Sequence, residues 1–420
     1  MPPPREPRPG GPVAITGAGV VSPIGNSLAA FDAALFAGRS AVRAQALDLP
    51  GIELPPVPVA SAEFDAAAEP APSRVPLDRA TAMALAAARD AARAAGLAPG
   101  GFDPERLGIF WGSGMAGAAT FEATCRTVYA DRRRMRPTSV VTTMPNAPVA
   151  EIALAFAARG AALAYACACA SSAVAIGEAM RAIRAGWIDV AIAGGSESML
   201  TPGVLASWQA MRVLVPLGAA ASDAAAVAAC CRPFAAERNG FALGEAATAF
   251  VLESPAHAAA RGAKAEAMLA GYATNCDGVH ITQPDASGQA RAMQAALADA
   301  DLAPRDIGYL NAHGTATAAG DAAEAESIAR VFGPGGVPVS STKGIHGHLL
   351  GAGGAVELLA ALRALATRRL PVNANTARPD RDFTLDLVSG ASRSSERLRH
   401  AMSNSFAFGG TNAVLVVSRV

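Results

Sequence analysis

Three short segments of this 420-residue chain gather the residue types that carry chemistry. The first is Ala168-Cys-Ala-Ser-Ser-Ala-Val-Ala-Ile-Gly177, which reads as a strand end running into a helix. A cysteine at a helix amino terminus meets the positive end of the dipole, which favours the thiolate and lowers the pKa. A thiolate at Cys169 could accept an acyl group from a thioester, although from the local pattern alone the residue reads equally well as one more small buried side chain. The second segment is Asn311-Ala-His-Gly-Thr-Ala-Thr317, where His313 leaves a strand end among small residues, a setting suited to a cavity. The third, Ser340-Ser-Thr-Lys-Gly-Ile-His-Gly-His-Leu-Leu-Gly-Ala-Gly-Gly354, places Lys343, His346 and His348 in a glycine-rich loop that should open a helix. Of six histidines in the chain, three fall in these two loops, and that concentration favours catalysis over structure. Cys167-x-Cys169 with His346-x-His348 also counts four zinc-capable ligands. Structural zinc sites usually place about two to four residues between cysteines and about three to five between histidines. On that spacing no metal is expected, and the adjacent Cys230 and Cys231 read as incidental.

The elements that must position these residues alternate along the chain. Val13-Ala-Ile-Thr reads as a buried strand, followed by an Ala-rich helix over residues 77–95 that Gly96 and Pro99 stop. Strands are expected at 107–111 and 190–193, each ending in a glycine turn. The uncharged run between Arg159 and Glu178 is mostly small residues, so it reads as a buried strand and helix and not as a membrane span. Near Ser254-Pro255 the pattern restarts with a helix through Arg261 and a strand over 267–272. These features predict an α/β layered fold with a flexible Pro-rich tail over 1–11, one half over 12–254 and a second over 255–420.

Composition excludes several classes of function. The 35 basic and 35 acidic residues cancel, which argues against a nucleic-acid protein that relies on bulk positive field. Apolar residues at 51% and charged residues at 17% exclude a disordered chain. Six irregularly spaced cysteines fit reduced thiols in the cytoplasm better than a disulfide framework, and the first twelve residues lack the apolar core of a signal peptide.

Taken together, the segments resemble the β-ketoacyl-acyl-carrier-protein synthases, the condensing enzymes of fatty-acid and type II polyketide synthesis. Cys169 in ACASSAVAIG, His313 in NAHGTAT, and His348 with Lys343 in SSTKGIHGHLLGAGG match that family's Cys-His-His set. VAITGAGVVSPIG near the start, AGGSES at 193–198, RPFAAERNGFALGEAA at 232–247 and NSFAFGGTN at 404–412 extend the resemblance over nearly the whole chain. The resemblance implies a thiolase-like fold of two pseudo-symmetric halves in αβαβα layers, acting as an acyltransferase without metal or other cofactor. Cys169 would carry the acyl chain, and His313 and His348 would stabilise the enolate formed when a malonyl thioester loses CO2. Lys343, paired with Glu357, would support the histidines. Phe408 and Phe406 would form the oxyanion and gate segment, Thr315 and Thr317 would hold the pantetheine arm of the carrier, and Met115 would line the acyl pocket. The implied partners are an acyl carrier protein, its acyl and malonyl thioesters, and a second subunit in a homodimer or a ketosynthase/chain-length-factor heterodimer.

A carrier of this kind is acidic, so Arg132, Arg133, Arg134 and Arg136, the densest basic run, are expected at the docking surface, with Arg79 and Arg212 as further candidates. A solvated basic loop is the plainer reading of that run. Several positions depart from the family pattern: His346 stands where fatty-acid members usually have threonine, Val174 where many have histidine, Ala246-Ala247 within a glycine-rich run, and Phe110-Trp111 on a strand that usually carries small residues. They point to a specialised synthase of polyketide or polyene metabolism. A relative without the cysteine, acting only to set chain length, would not need Cys169, His313 and His348. A hydrolase built on Cys169 and His313 would not need His348 or Lys343.

Overall fold

The computed structural model describes residues 11–98 and 100–420, so the tail assigned to 1–11 lies outside the described residues except for Gly11. Eleven strands, numbered in chain order, form one mixed sheet: β1 (Val13–Val21), β2 (Leu107–Gly112), β3 (Ala162–Tyr165), β4 (Val190–Glu197), β5 (Ala246–Glu253), β6 (Ala267–Cys276), β7 (Ile307–Asn311), β8 (Pro338–Ser340), β9 (Asp386–Leu387), β10 (His400–Phe406) and β11 (Thr411–Ser418). Their order across the sheet is β9-β8-β7-β10-β11-β6-β1-β5-β4-β2-β3. Outward from β1, the pairings with β5 and from β5 to β4 are antiparallel, and those from β4 to β2 and β2 to β3 are parallel. Outward from β6, the same sequence runs through β11, β10, β7 and β8. Two copies of one five-stranded pattern therefore meet where β1 pairs antiparallel with β6, Val13 opposite Leu269.

The layering follows from which faces are apolar. All nine residues of β1 and all eight of β5 are buried, which requires cover on both faces of the sheet. One cover is α1 (Arg79–Ala94), an Ala-rich helix whose first turn is capped by Asp78 accepting from the Ala80 amide at 2.9 Å. The central layer holds α2 (Ser171–Arg184) and α5 (Gly353–Thr367), packed against each other between the two halves. Helices α3 (Ala286–Asp299) and α4 (Ala318–Phe332) cover the far side. The architecture is the thiolase-like arrangement expected from the sequence. Residues Leu350–Thr367 are long and apolar enough to cross a membrane, but 83% of the stretch is buried, as a core helix must be.

Close packing sets where α2 can start. A Cβ on Gly112, at the end of β2, would lie 2.3 Å from the backbone of Ser171 and Ser172. Only glycine at this position lets the strand pass beneath the first turn of α2, and that turn presents Cys169 to the interior.

Candidate active site

Cys169 lies in the tight turn Ala168–Ala170 between β3 and α2, and its residue is 6% exposed. His313 follows β7, and His348 follows the single helical turn Lys343–His346 after β8. The sulfur of Cys169 is 3.1 Å from Nε2 of His348, and one ligand atom from each of Cys169, His313 and His348 lies within 4.8 Å of the others. The two imidazoles stand edge to face, centroids 5.4 Å apart. All three line a cavity of ≈ 290 Å³ together with Thr315, Thr317, Phe241, Phe406 and Phe408.

Hydrogen bonds fix which imidazole nitrogen carries the proton. The Leu350 amide donates to Nδ1 of His348 at 3.4 Å, so the ring proton sits on Nε2, facing the sulfur. Lys343 Nζ donates to Nδ1 of His313 at 3.3 Å, which leaves that ring's proton on Nε2 as well. Lys343 also donates to the His313 carbonyl and to Glu357 Oε1. Burial first, and then the charge of Lys343, hold both imidazoles far below their usual pKa. The site thus presents two neutral N–H donors beside the sulfur. Burial pushes the carboxyl of Glu357 up to about 7 against the pull of Lys343.

The thiol corrects the expectation of a dipole-activated thiolate. Burial pushes Cys169 up to about 12; Lys343 and the Phe408 amide, which donates to it, pull the other way without prevailing. Desolvation of a buried anion outweighs the partial charge of one helix end. The resting residue is a thiol.

Two carboxylates that sequence reasoning missed hold the His313 loop. Glu324 accepts from the amides of His313 at 2.8 Å and Gly314 at 2.6 Å, and from Asn404 at 3.2 Å. Asp321 accepts from Ala316 at 3.0 Å and Phe234 at 2.7 Å. Both stand on the first turns of α4, which Thr317 caps by accepting from Gly320. Thr317 and Thr315 are also joined through their hydroxyls at 2.9 Å. The zinc pairing weighed from sequence does not assemble. His346 is turned away, its Nδ1 donating to Gly347 O at 2.7 Å and its Nε2 accepting from Thr342 at 2.9 Å. The donors that do converge are Cys169, His313 and His348, the set a soft cation would find, with Lys343 directly behind His313.

Comparison with known proteins places this site in a family. The model of the β-ketoacyl synthase N-terminal domain matches residues 11–258, and that of the C-terminal domain matches residues 266–377. The chain belongs to the β-ketoacyl synthase family. Nodulation protein E of Rhizobium leguminosarum bv. trifolii is 39% identical over 97% of this chain and 99% of its own length. The 3-oxoacyl-[acyl-carrier-protein] synthase 2 of Staphylococcus aureus (strain N315) is 36% identical over 82% of each chain. Among solved structures, the ishigamide ketosynthase/chain length factor superposes with a TM-score of 0.87 at 30% identity, covering 98% of this chain and 99% of its own.

The remaining expected positions are distributed around this ketosynthase site. Met115 is 49% exposed and does not line the cavity; Glu197 accepts from its amide at 3.1 Å. Arg132, Arg133, Arg134 and Arg136 are all exposed, in the loop after the helix Ala118–Tyr129. Arg79 is not available for docking: its guanidinium grips Glu245 at 2.8 and 2.7 Å and the carbonyls of Ala62 and Phe64. Arg212 is exposed between Met211 and Val213, which both line the cavity.

Proposed function

We propose that this protein elongates an acyl chain by decarboxylative condensation, with Cys169 as nucleophile and His313 and His348 as the donors that stabilise the enolate. The observation that carries this reading is one sulfur grouped within 4.8 Å with ring nitrogens of two neutral imidazoles in a largely apolar cavity. In the first stage the Cys169 sulfur attacks an acyl thioester, and its proton leaves with the departing pantetheine thiol. The developing oxyanion is received by the amides of Cys169 and Phe408. In the second stage a malonyl thioester enters and the bond to its carboxylate breaks, releasing CO2 and leaving its electron pair on an enolate. Negative charge then grows on the thioester oxygen, where the two imidazole N–H groups can meet it. The enolate carbon attacks the acyl carbonyl, a carbon–carbon bond forms, and Cys169 is released. Lys343 fixes the His313 tautomer and Glu324 fixes its backbone. Thr315 and Thr317 at the mouth hold the pantetheine arm, and the exposed arginines 132–134 and 136 meet an acidic carrier protein in the cytoplasm.

A second reading concerns the partner. Strand β3 is the last of the sheet, three of its four residues are exposed, Leu163 among them, and the helix Ala147–Phe156 that packs against it exposes Leu154. An open sheet edge with an apolar surround calls for a covering subunit. A related synthase or a chain-length-factor homologue fits that role, and the ketosynthase/chain length factor neighbour supports it.

Intact-mass measurement of wild type and Cys169→Ala with acyl and then malonyl carrier thioesters tests the reading. Acyl mass on the wild type alone, followed by product two carbons longer, is the expected result. Acylation followed by hydrolysis without elongation would refute condensation by this chain alone.

A further inference from the structure

One polar side chain on the cavity wall is used by neither stage of the reaction. Gln289 stands near the start of α3 among small and apolar neighbours, and it is 1% exposed. It lines the same cavity as Cys169, His313 and Thr315. Its Oε1 accepts from Ser327 Oγ at 3.1 Å, a hydroxyl that is shared with Glu324 O at 2.8 Å. Its Nε2 has no hydrogen-bond partner among the described residues and opens on the cavity. Leaving a nearly buried amide N–H unpaired is costly, so such a group calls for a partner that arrives from outside.

The backbone beneath Gln289 is firmly held. Asp285 caps α3, its carboxylate accepting from Ser287 at 3.2 Å and Gly288 at 2.8 Å, and its carbonyl takes the Gln289 amide at 3.1 Å. Asn275 donates to Gly288 O at 2.9 Å. Gly288 packs so closely on Asp277 that an added Cβ would lie 2.0 Å from its Oδ1. A rigid helix end, anchored again through Ser327 on α4, therefore presents the carboxamide.

The groups nearby decide what it can bind. Asp277 and Glu324 line the cavity as well, and a further carboxylate, such as that of a malonyl group, is disfavoured beside them. A neutral carbonyl oxygen is the acceptor that fits. The two imidazoles take the thioester carbonyl, which leaves the amide carbonyls of the pantetheine arm. Thr315 and Thr317 stand before and at the start of α4, whereas Gln289 meets α4 at Ser327, beyond Glu324, whose carboxylate holds the His313 amide. We propose that Gln289 Nε2 donates to the carbonyl of the arm amide nearer the thioester. Gln289 is then a substrate-binding residue that favours pantetheine-borne malonyl over a plain malonyl thioester. This rests on the ketosynthase reading above.

The test uses the full-length protein, acylated on Cys169 by an acyl-pantetheine, with two small probes. Malonyl-N-acetylcysteamine keeps that amide, and malonyl-S-pentyl thioester replaces it with methylenes. The readout is kcat/KM for the elongated product with each probe, and their ratio is the preference for the amide. Wild type should prefer the amide probe, and Gln289→Met should lower that preference about tenfold, the scale of one hydrogen bond left unmade. Ser327→Ala, which removes only the anchor of the carboxamide, should lower it in the same direction. A general loss of folding or activity slows both probes alike, so a preference unchanged in Gln289→Met would overturn the proposal, as would a wild type without preference. Failure of wild type to be acylated would instead overturn the parent reading.

Discussion

Replacing Lys343 separates what the buried pair contributes to folding from what it contributes to chemistry. Lys343 and Glu357 are 0% and 1% exposed, and Glu357 Oε2 already has no hydrogen-bond partner. In Lys343→Met the Glu357 carboxylate loses its counter-charge in a sealed interior, a loss of about 3–5 kcal/mol. At about 2.1 cal/mol/K per residue, unfolding 420 residues carries an entropy of roughly 0.9 kcal/mol/K, so the transition should fall by about 4 °C. The pH dependence has a definite sign. Burial raises Glu357 from 4.5 to about 7 even with Lys343 present, and without it the folded-state value rises further. A carboxyl that binds its proton more tightly when folded contributes stability at low pH and loses it as pH climbs through that window. The deficit of Lys343→Met should therefore be larger at pH 8 than at pH 6. Adding Glu357→Leu removes the stranded charge and should restore most of the lost stability. Catalysis should not return, because His313 has lost the donor that fixes its tautomer; condensation should remain about a hundredfold down, as for a lost transition-state donor. Calorimetry across pH and single-turnover condensation assays on both variants decide it. Recovery of condensation in Lys343→Met/Glu357→Leu would refute the argument, as would a single variant equally stable at pH 6 and pH 8.

Three further outcomes are expected. Alkylation of Cys169 by iodoacetamide, followed by peptide mass spectrometry to separate it from exposed Cys276, should rise about tenfold per pH unit from 7 to 9, because a thiol pushed up to about 12 is almost wholly protonated there; a plateau near neutrality would show an activated thiolate instead. Glu324→Ala strands the amides of His313 and Gly314 and should cost about 2–3 kcal/mol, with condensation reduced more than acylation; equal reduction of both half-reactions would deny it a part in placing His313. Arg133→Glu with Arg134→Glu should raise KM for the acyl carrier while leaving alkylation of Cys169 unchanged, and unaltered KM would remove this loop from the docking surface.

The meeting of Cys169, His313 and His348 was anticipated because each sits in a run of small residues following a strand. The strand starts at Val13, Leu107, Val190, Ala267 and Ile307 were legible for a related reason: continuous apolar runs bounded by glycine leave little choice of element. What stayed hidden depends on partners distant in sequence. Asp321 and Glu324 carry no motif of their own, and only the folded loop brings backbone amides to them. Arg79 reads as a free surface cation until Glu245, 166 positions away, takes its guanidinium. The protonated state of Cys169 was misread because a local motif shows the helix end but not the depth of burial.

The matched halves of the sheet give the active site a parentage. Strand β3 of the first half and β8 of the second hold equivalent places, and each leads through a tight turn into a central helix. The turn after β3 carries Cys169 and the segment after β8 leads to His348, so the proposed nucleophile and the proposed enolate stabiliser occupy the same location in two copies of one design. The loop after β7, bearing His313, likewise answers to the loop after β2, bearing Met115, which has no titratable side chain. An ancestral duplication with divergent loops accounts for this pattern: one copy carries Cys169 and the other carries both histidines.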